Sequence, residues 1–275
     1  MTPSIAFIGV GNMARAIFSG MLASGYPADK IIGTSRTPEK RDYYHEQYGI
    51  TMLADNDSAV SQADVVVLCV KPAQMQAVVE DFSDQVREEQ LFISVAAGID
   101  IDSLAYWLGK PAAVVRSMPN TPSQIGAGMT GLIANAHTSN EQKDWVSELF
   151  SSIGSSVWVE NEGHMHTVTA LSGSAPAYFF RFIEAMVNNA KDQGLDEATS
   201  RELASNAMFG AARMVMEIDE PIAQLRKNIT SPNGTTEQAL LSFEAADIDK
   251  IVADAMTACV NRSKEMAADF AAKKD

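Results

Sequence analysis

The sequence predicts an α/β fold in two parts, an N-terminal doubly wound sheet followed by an all-α C-terminal half. Three observations carry this. Short apolar runs alternate with helical patterns up to about residue 160. The first run, Ile5-Ala6-Phe7-Ile8, opens into Gly9-Val10-Gly11-Asn12-Met13-Ala14, the G-x-G-x-x-G/A turn of a Rossmann-type βα unit. From Glu162 onward only helical periodicity remains. The expected division is a dinucleotide-binding domain over 1–160 and a helical substrate-binding and dimerisation domain over 161–275.

In the opening turn, Gly9 permits the tight bend and Gly11 lets a pyrophosphate approach backbone that carries no Cβ. Ala14 is small enough for a helix over 12–21 to press against the strand, with its free N–H groups aimed at the phosphates. Glycine turns are common; the strand–turn–helix–strand context is what gives this one meaning. A second strand, over 30–35, ends in Ser35-Arg36-Thr37. An NAD site would place Asp or Glu there to hold the ribose 2′-OH, so NADPH is preferred and NADH possible. Asp29 precedes the strand, and Glu39 falls in the first turn of the next helix, where acids are ordinary dipole partners. Arg36 also reads as a solvated surface arginine.

A helix over 38–48 and a strand over 50–53 follow, and Asp55-Asn56-Asp57 caps another helix. The clearest buried strand spans 63–70 and stops at Lys71-Pro72. A cation at the carboxyl end of a central strand is where doubly wound sheets take ligands, although Lys71 alone reads equally as a surface lysine. Strands over 91–95 and 112–116 are closed by Ala96-Ala97-Gly98 and Met118-Pro119-Asn120-Thr121-Pro122, both facing the crevice of the glycine turn. Strands over 128–134 and 156–159 flank a helix over 141–150.

Helices are expected over 164–172, 175–193, 197–218, 221–227, 235–243 and 248–270. Small residues recur at Ala204, Ala207, Gly210, Ala211 and Ala212, where helices can approach closely. So small a bundle gains from a second copy, which predicts a homodimer or a higher homo-oligomer of dimers. One segment exceeds packing needs: the polar turn from Asn228 through Ser231-Pro232-Asn233-Gly234 runs into a helix at Thr235-Thr236-Glu237. Hydroxyls and free N–H groups converge there as they would on a small carboxylate, or as in an ordinary capped turn.

Acidic residues outnumber basic ones by 35 to 21, a net charge of −14, which argues against nucleic acid or an anionic membrane surface as partner. Apolar residues make up 46% of the 275, enough for a substantial core. Cys69 and Cys259 suit a reducing cytoplasm, and Met1-Thr2-Pro3-Ser4 leads into the first strand with no apolar run of membrane-spanning length in the chain. The four histidines form no metal pattern, and Ser172-Gly173-Ser174 lacks the elbow of a hydrolase nucleophile.

Taken together, the chain resembles the pyrroline-5-carboxylate reductase family over essentially its whole length. The resemblance rests on Phe7 to Ala14, Val70-Lys71-Pro72, Ala96-Ala97-Gly98-Ile99 and Met118 to Pro122, then Thr169-Ala170-Leu171-Ser172-Gly173-Ser174-Ala175-Pro176-Ala177-Tyr178 and Ser231 to Thr236. It implies reduction of the cyclic imine 1-pyrroline-5-carboxylate to L-proline, the last step of proline synthesis, with NADPH or NADH, and assembly through the helical domains. It implies that Ile8, Gly9, Val10, Gly11, Asn12, Met13, Ser35, Asn56, Val70, Lys71, Pro72, Val95, Ala96 and Ala97 hold the cofactor, with Arg36 added from the strand end. Glu162, Asn228, Ser231, Gly234, Thr235 and Thr236 are the corresponding substrate residues. Thr236 is the expected hydrogen-bond partner of the imine nitrogen, and Lys71 the residue ordering the cofactor side.

Ala175 and Asn233 stand where the family usually has glycine; asparagine tolerates left-handed backbone angles, so the turn can survive. Two rival readings fit less well. A dehydrogenase acting on 3-hydroxy acids would need a lysine early in the helical half, and 167–190 contains none. A non-catalytic NADP-binding regulator would have no use for the turn over 231–236.

Overall fold

In a computed structural model, which describes residues 2–271, the chain runs β1 (Ile5–Ile8), α1 (Asn12–Ala23), β2 (Ile31–Thr34), α2 (Pro38–Tyr48), β3 (Thr51–Leu53), α3 (Asn56–Gln62) and β4 (Val65–Leu68). It continues with α4 (Pro72–Asp81), β5 (Leu91–Ser94), α5 (Ile101–Leu108), β6 (Ala113–Met118), β7 (Gly128–Ala134), α6 (Asn140–Ser151) and β8 (Gly154–Trp158). After these come α7 (His164–Val168), α8 (Ala175–Asp192), α9 (Glu197–Glu217), α10 (Ile222–Asn228), α11 (Thr235–Ala245) and α12 (Ile248–Phe270). Met1 and residues 272–275, which close the two expected domain ranges, lie outside the described residues. No helix among those described is long and apolar enough to cross a membrane.

The strands form one sheet in the order β3-β2-β1-β4-β5-β6-β7-β8, so the chain leaves β1 in opposite directions toward β2 and β4. All pairs are parallel except β6 with β7. That reversal has a simple cause: residues 119–127 are too few for a parallel crossover, which needs about a dozen or more. Ile8, Leu68, Ser94 and Arg116 pair in turn along one row, just before the loops of the carboxyl edge.

Both faces of the sheet are buried, which is why its strands read as continuous apolar runs rather than alternating ones. Ile5, Phe7, Val65, Val67, Leu91 and Ile93 pack on one side with Phe18 and Phe150. Ala6, Ile8, Val66, Leu68, Phe92 and Val114 pack on the other with Val79 and Leu104. Helix starts are capped as short polar side chains allow: Asp55, Asp100 and Asp196 accept an N–H of the first turn, and Ser139 with Gln142 makes a reciprocal box. Helices α4 and α5 fill the strand–helix alternation at places for which no range is read from the sequence. The helix expected over 164–172 is α7 only as far as Val168, continued by a wider π turn over Thr169–Gly173.

Strands stop at Trp158, yet compactness divides the chain elsewhere. One unit holds the residues up to Ser174 with those from Ala258 onward; the other is Ala175–Thr257. Within the first, the C-terminal stretch is tied down by His166 Nδ1, 2.9 Å from Ser263 Oγ, and by Phe270 packed into the sheet's core. In the second, buried residues are few: α8 to α11 bury only Ala175, Ser200, Ala204 and Leu225. Phe179, Phe180, Leu203, Phe209 and Met216 are each more than half exposed. Helices with so much apolar surface in water need another surface to cover it.

Candidate active site

The loops leaving β1, β2 and β4 border a cleft of about 610 Å³ at the carboxyl edge of the sheet. Of the expected cofactor residues it brings together Gly9, Val10, Gly11, Ser35, Arg36, Asn56, Val70 and Lys71. Ile8 lies in the core behind them, Asn12 and Met13 begin α1, and Pro72 is the first residue of α4. Val95, Ala96 and Ala97 leave β5 and do not line this cleft. Cys69 does line it, and burial pushes its thiol up. A second hollow of about 520 Å³, bordered by Pro3, Tyr26, Trp145 and Glu148, contains none of the expected residues.

The two glycines answer to different demands. Gly9 has φ +85°, and a Cβ there would sit 2.6 Å from Val70 Cγ1, so the protein itself requires glycine. Gly11 has an ordinary extended φ of −127°, and a Cβ there would meet nothing within 4 Å. Nothing inside the protein explains glycine at position 11. An approaching ligand does, because helix α1 begins beside it with no side-chain cap on its first-turn N–H groups. The residues present therefore fit a dinucleotide pyrophosphate.

Arg36 and Lys40 both reach the rim of the cleft, whereas the neighbouring Arg41 is engaged, its Nη1 donating to the Ser35 carbonyl at 2.8 Å. Lys40 was missed from the sequence; its place in the first turn of α2, close after the strand end at Arg36, was the available signal. Asp81 also lines the cleft, but Asp29 and Glu39 do not.

Glu162 is paired with Arg116. The arginine is 1% exposed, and its Nη1 donates to Glu162 Oε1. Arg116 Nη2 and Glu162 Oε2 are buried without a partner among the described residues. Burial raises the Glu162 carboxyl against the downward pull of Arg116. The pair is asymmetric, because the Glu162 side chain is 35% exposed. Removing the acid in Glu162→Ala strands a buried guanidinium and should cost about 3–5 kcal/mol. Arg116→Leu should cost clearly less, since the freed carboxylate can turn to water. Urea denaturation of both variants checks the order; equal losses would mean that the buried cation is not what Glu162 compensates.

In the second unit, the polar turn is built as its sequence suggests. Gly234 N–H donates to the Ser231 carbonyl at 3.0 Å, and Asn233 takes φ +57°, the left-handed angle available to asparagine. Its N–H donates to Glu237 Oε2 at 2.7 Å. Gly234 caps α11 without a side chain, so the first-turn N–H groups beside Thr235 and Thr236 remain open. Asn228 closes α10 with its amide fixed at both ends: Nδ2 donates to Glu220 Oε2 at 3.0 Å, and Oδ1 accepts from Gln224 Nε2 at 2.6 Å.

A doubly wound sheet with an open glycine turn, joined to a helical unit rich in uncovered apolar surface, defines a class: Rossmann-type dinucleotide-binding proteins that associate through helices. Comparison with known proteins narrows it. The family described as "Pyrroline-5-carboxylate reductase dimerisation" matches residues 162–266, and that described as "NADP oxidoreductase coenzyme F420-dependent" matches 4–98. Pyrroline-5-carboxylate reductase of Vibrio alginolyticus is 45% identical, covering 95% of this chain and 97% of that one. The structure of a pyrroline-5-carboxylate reductase from Coxiella burnetii superposes with TM-score 0.92 at 41% identity, covering 97% and 99%. That of the Plasmodium falciparum enzyme with NADP bound gives 0.87 at 27%, covering 96% and 98%. The chain belongs to the pyrroline-5-carboxylate reductase family, and with it to the homo-oligomeric oxidoreductases that use a nicotinamide cofactor.

Proposed function

We propose that the chain reduces 1-pyrroline-5-carboxylate to L-proline, with NADPH preferred over NADH, as a homodimer or an oligomer of dimers joined through the helical unit. The observation that carries the cofactor assignment is Gly11, a glycine with open space above it and no conformational need to be one. Bound nicotinamide supplies the hydride. The N–H groups at the start of α1 hold the pyrophosphate, and Arg36 with Lys40 offers positive charge to a ribose 2′-phosphate. Lys71 orders the cofactor side, and Val95, Ala96 and Ala97 extend the binding edge.

On the substrate side, the open N–H groups of α11 with the hydroxyls of Ser231 and Thr235 suit the carboxylate. Asn228, Gly234 and Glu162 complete that set. The Thr236 hydroxyl bonds the imine nitrogen, so that the carbon becomes the better hydride acceptor. Free Cys69 and Cys259 agree with a reducing compartment such as the cytoplasm.

Following NADPH oxidation with 1-pyrroline-5-carboxylate, a six-membered cyclic imine and a 3-oxo acid (the oxidised partner of a 3-hydroxy acid) tests the reading. Turnover should favour the five-membered imine, with KM lower for NADPH than for NADH. Arg36→Ala should raise KM for NADPH by roughly tenfold, the loss of one charge-assisted contact, and leave that for NADH unchanged. Turnover with the 3-oxo acid alone would overturn the substrate; equal shifts with both cofactors would overturn the role of Arg36.

A further inference from the structure

We propose that Thr34, the last residue of β2, is a positioning residue that shapes the glycine turn and decides which of its N–H groups are left for the cofactor. The inference rests on the dinucleotide reading of the cleft. Thr34 is 2% exposed and lines the cleft floor. Gly33 pairs with Phe7 in β1, which carries Thr34 past the end of that strand and alongside Gly9. Both oxygens of Thr34 are then used on the turn. Gly9 N–H donates to Thr34 Oγ1 at 3.0 Å, and Val10 N–H donates to the Thr34 carbonyl at 2.9 Å. The hydroxyl is itself directed at the Phe7 carbonyl, 3.5 Å away.

The consequence follows from counting donors. The turn and the first turn of α1 present a run of main-chain N–H groups. Gly9 and Val10 are already satisfied by Thr34, and the first donor of the helical ladder is Arg15, to Gly11. Among the described residues, the N–H groups of Gly11, Asn12, Met13 and Ala14 meet no oxygen of the chain, and of these residues Ala14 is fully buried. Gly9 and Val10 therefore touch the cofactor only through backbone and side-chain surface, while Gly11, Asn12 and Met13 donate to the pyrophosphate. Thr34 holds Gly9 in its left-handed conformation and keeps those three donors aimed outward.

The test uses the complete protein. In wild type, backbone amide exchange followed by NMR should be slow at Gly9 and Val10 with or without NADPH, and slow at Gly11, Asn12 and Met13 only when NADPH is bound. Thr34→Val, close in shape but without the acceptor, should weaken NADPH and NADH alike by on the order of tenfold, as expected for an orphaned buried N–H. KM for 1-pyrroline-5-carboxylate and kcat at saturating cofactor should stay unchanged. Thr34→Ser restores the acceptor and should restore binding. The proposal is overturned if Gly9 and Val10 become protected only on NADPH binding, or if Thr34→Ser binds as poorly as Thr34→Val. Should wild type bind no NADPH at all, it is the dinucleotide reading that fails instead.

Discussion

Replacing Gly11 by alanine should leave the protein folded and deprive it of its cofactor. With φ at −127° and no atom of a described residue beyond its chain neighbours within 4 Å of the new Cβ, the substitution introduces neither strain nor a clash in the free protein. Stiffening the unfolded chain should even stabilise it by about 0.4–1 kcal/mol. The methyl group occupies the space through which a pyrophosphate reaches the backbone, so NADPH affinity should fall on the order of a hundredfold, about 2.8 kcal/mol. Gly9→Ala makes the contrast, since it combines a left-handed φ of +85° with a contact of 2.6 Å to Val70. Such a residue costs about 1–3 kcal/mol before any ligand is considered. Thermal melts paired with fluorescence titration of NADPH separate the two. A Gly11→Ala protein that melts early, or binds NADPH normally, would show that this glycine serves packing and not the ligand.

Parts of the site were legible because their requirements are local. The glycine turn needs small residues at fixed offsets, Ser35 and Lys71 follow once each strand's carboxyl end is located, and Asn56 and Val70 rest on the family resemblance. Thr34 was invisible for the opposite reason. In sequence it is an ordinary strand threonine, and only the pairing of Gly33 with Phe7 brings its hydroxyl to Gly9. The Arg116–Glu162 pair spans 46 positions and joins a strand to a loop, so no spacing rule could find it. The reversal of β7 was recoverable from the short link over 119–127, but its residues read as a strand in either direction. Helical periodicity marked out the helices of the C-terminal half; which of their faces stay uncovered emerged only with Phe180, Phe209 and Met216 placed.

The second large effect is expected at Thr236. It lies in the first turn of α11, after a turn in which Gly234 N–H is taken by the Ser231 carbonyl and Asn233 N–H by Glu237. The Thr236 hydroxyl has no partner among the described residues and is half-buried, which leaves it free for a ligand. Reduction of a C=N bond needs the nitrogen protonated or hydrogen-bonded as the carbon accepts hydride. A threonine hydroxyl is too weak an acid to deliver a proton outright near neutral pH, so its contribution is polarisation and alignment. Losing one such donor typically lowers kcat by about a hundred- to a thousandfold. Thr236→Ala should show that loss in kcat while the dissociation constant for NADPH stays put, because the proposed role of the residue is on the substrate side. Thr236→Ser keeps the hydroxyl and should recover most of the rate; Thr236→Val keeps the shape and should not. If serine and valine behave alike, the side chain only fills space, and the imine nitrogen must find its hydrogen bond elsewhere.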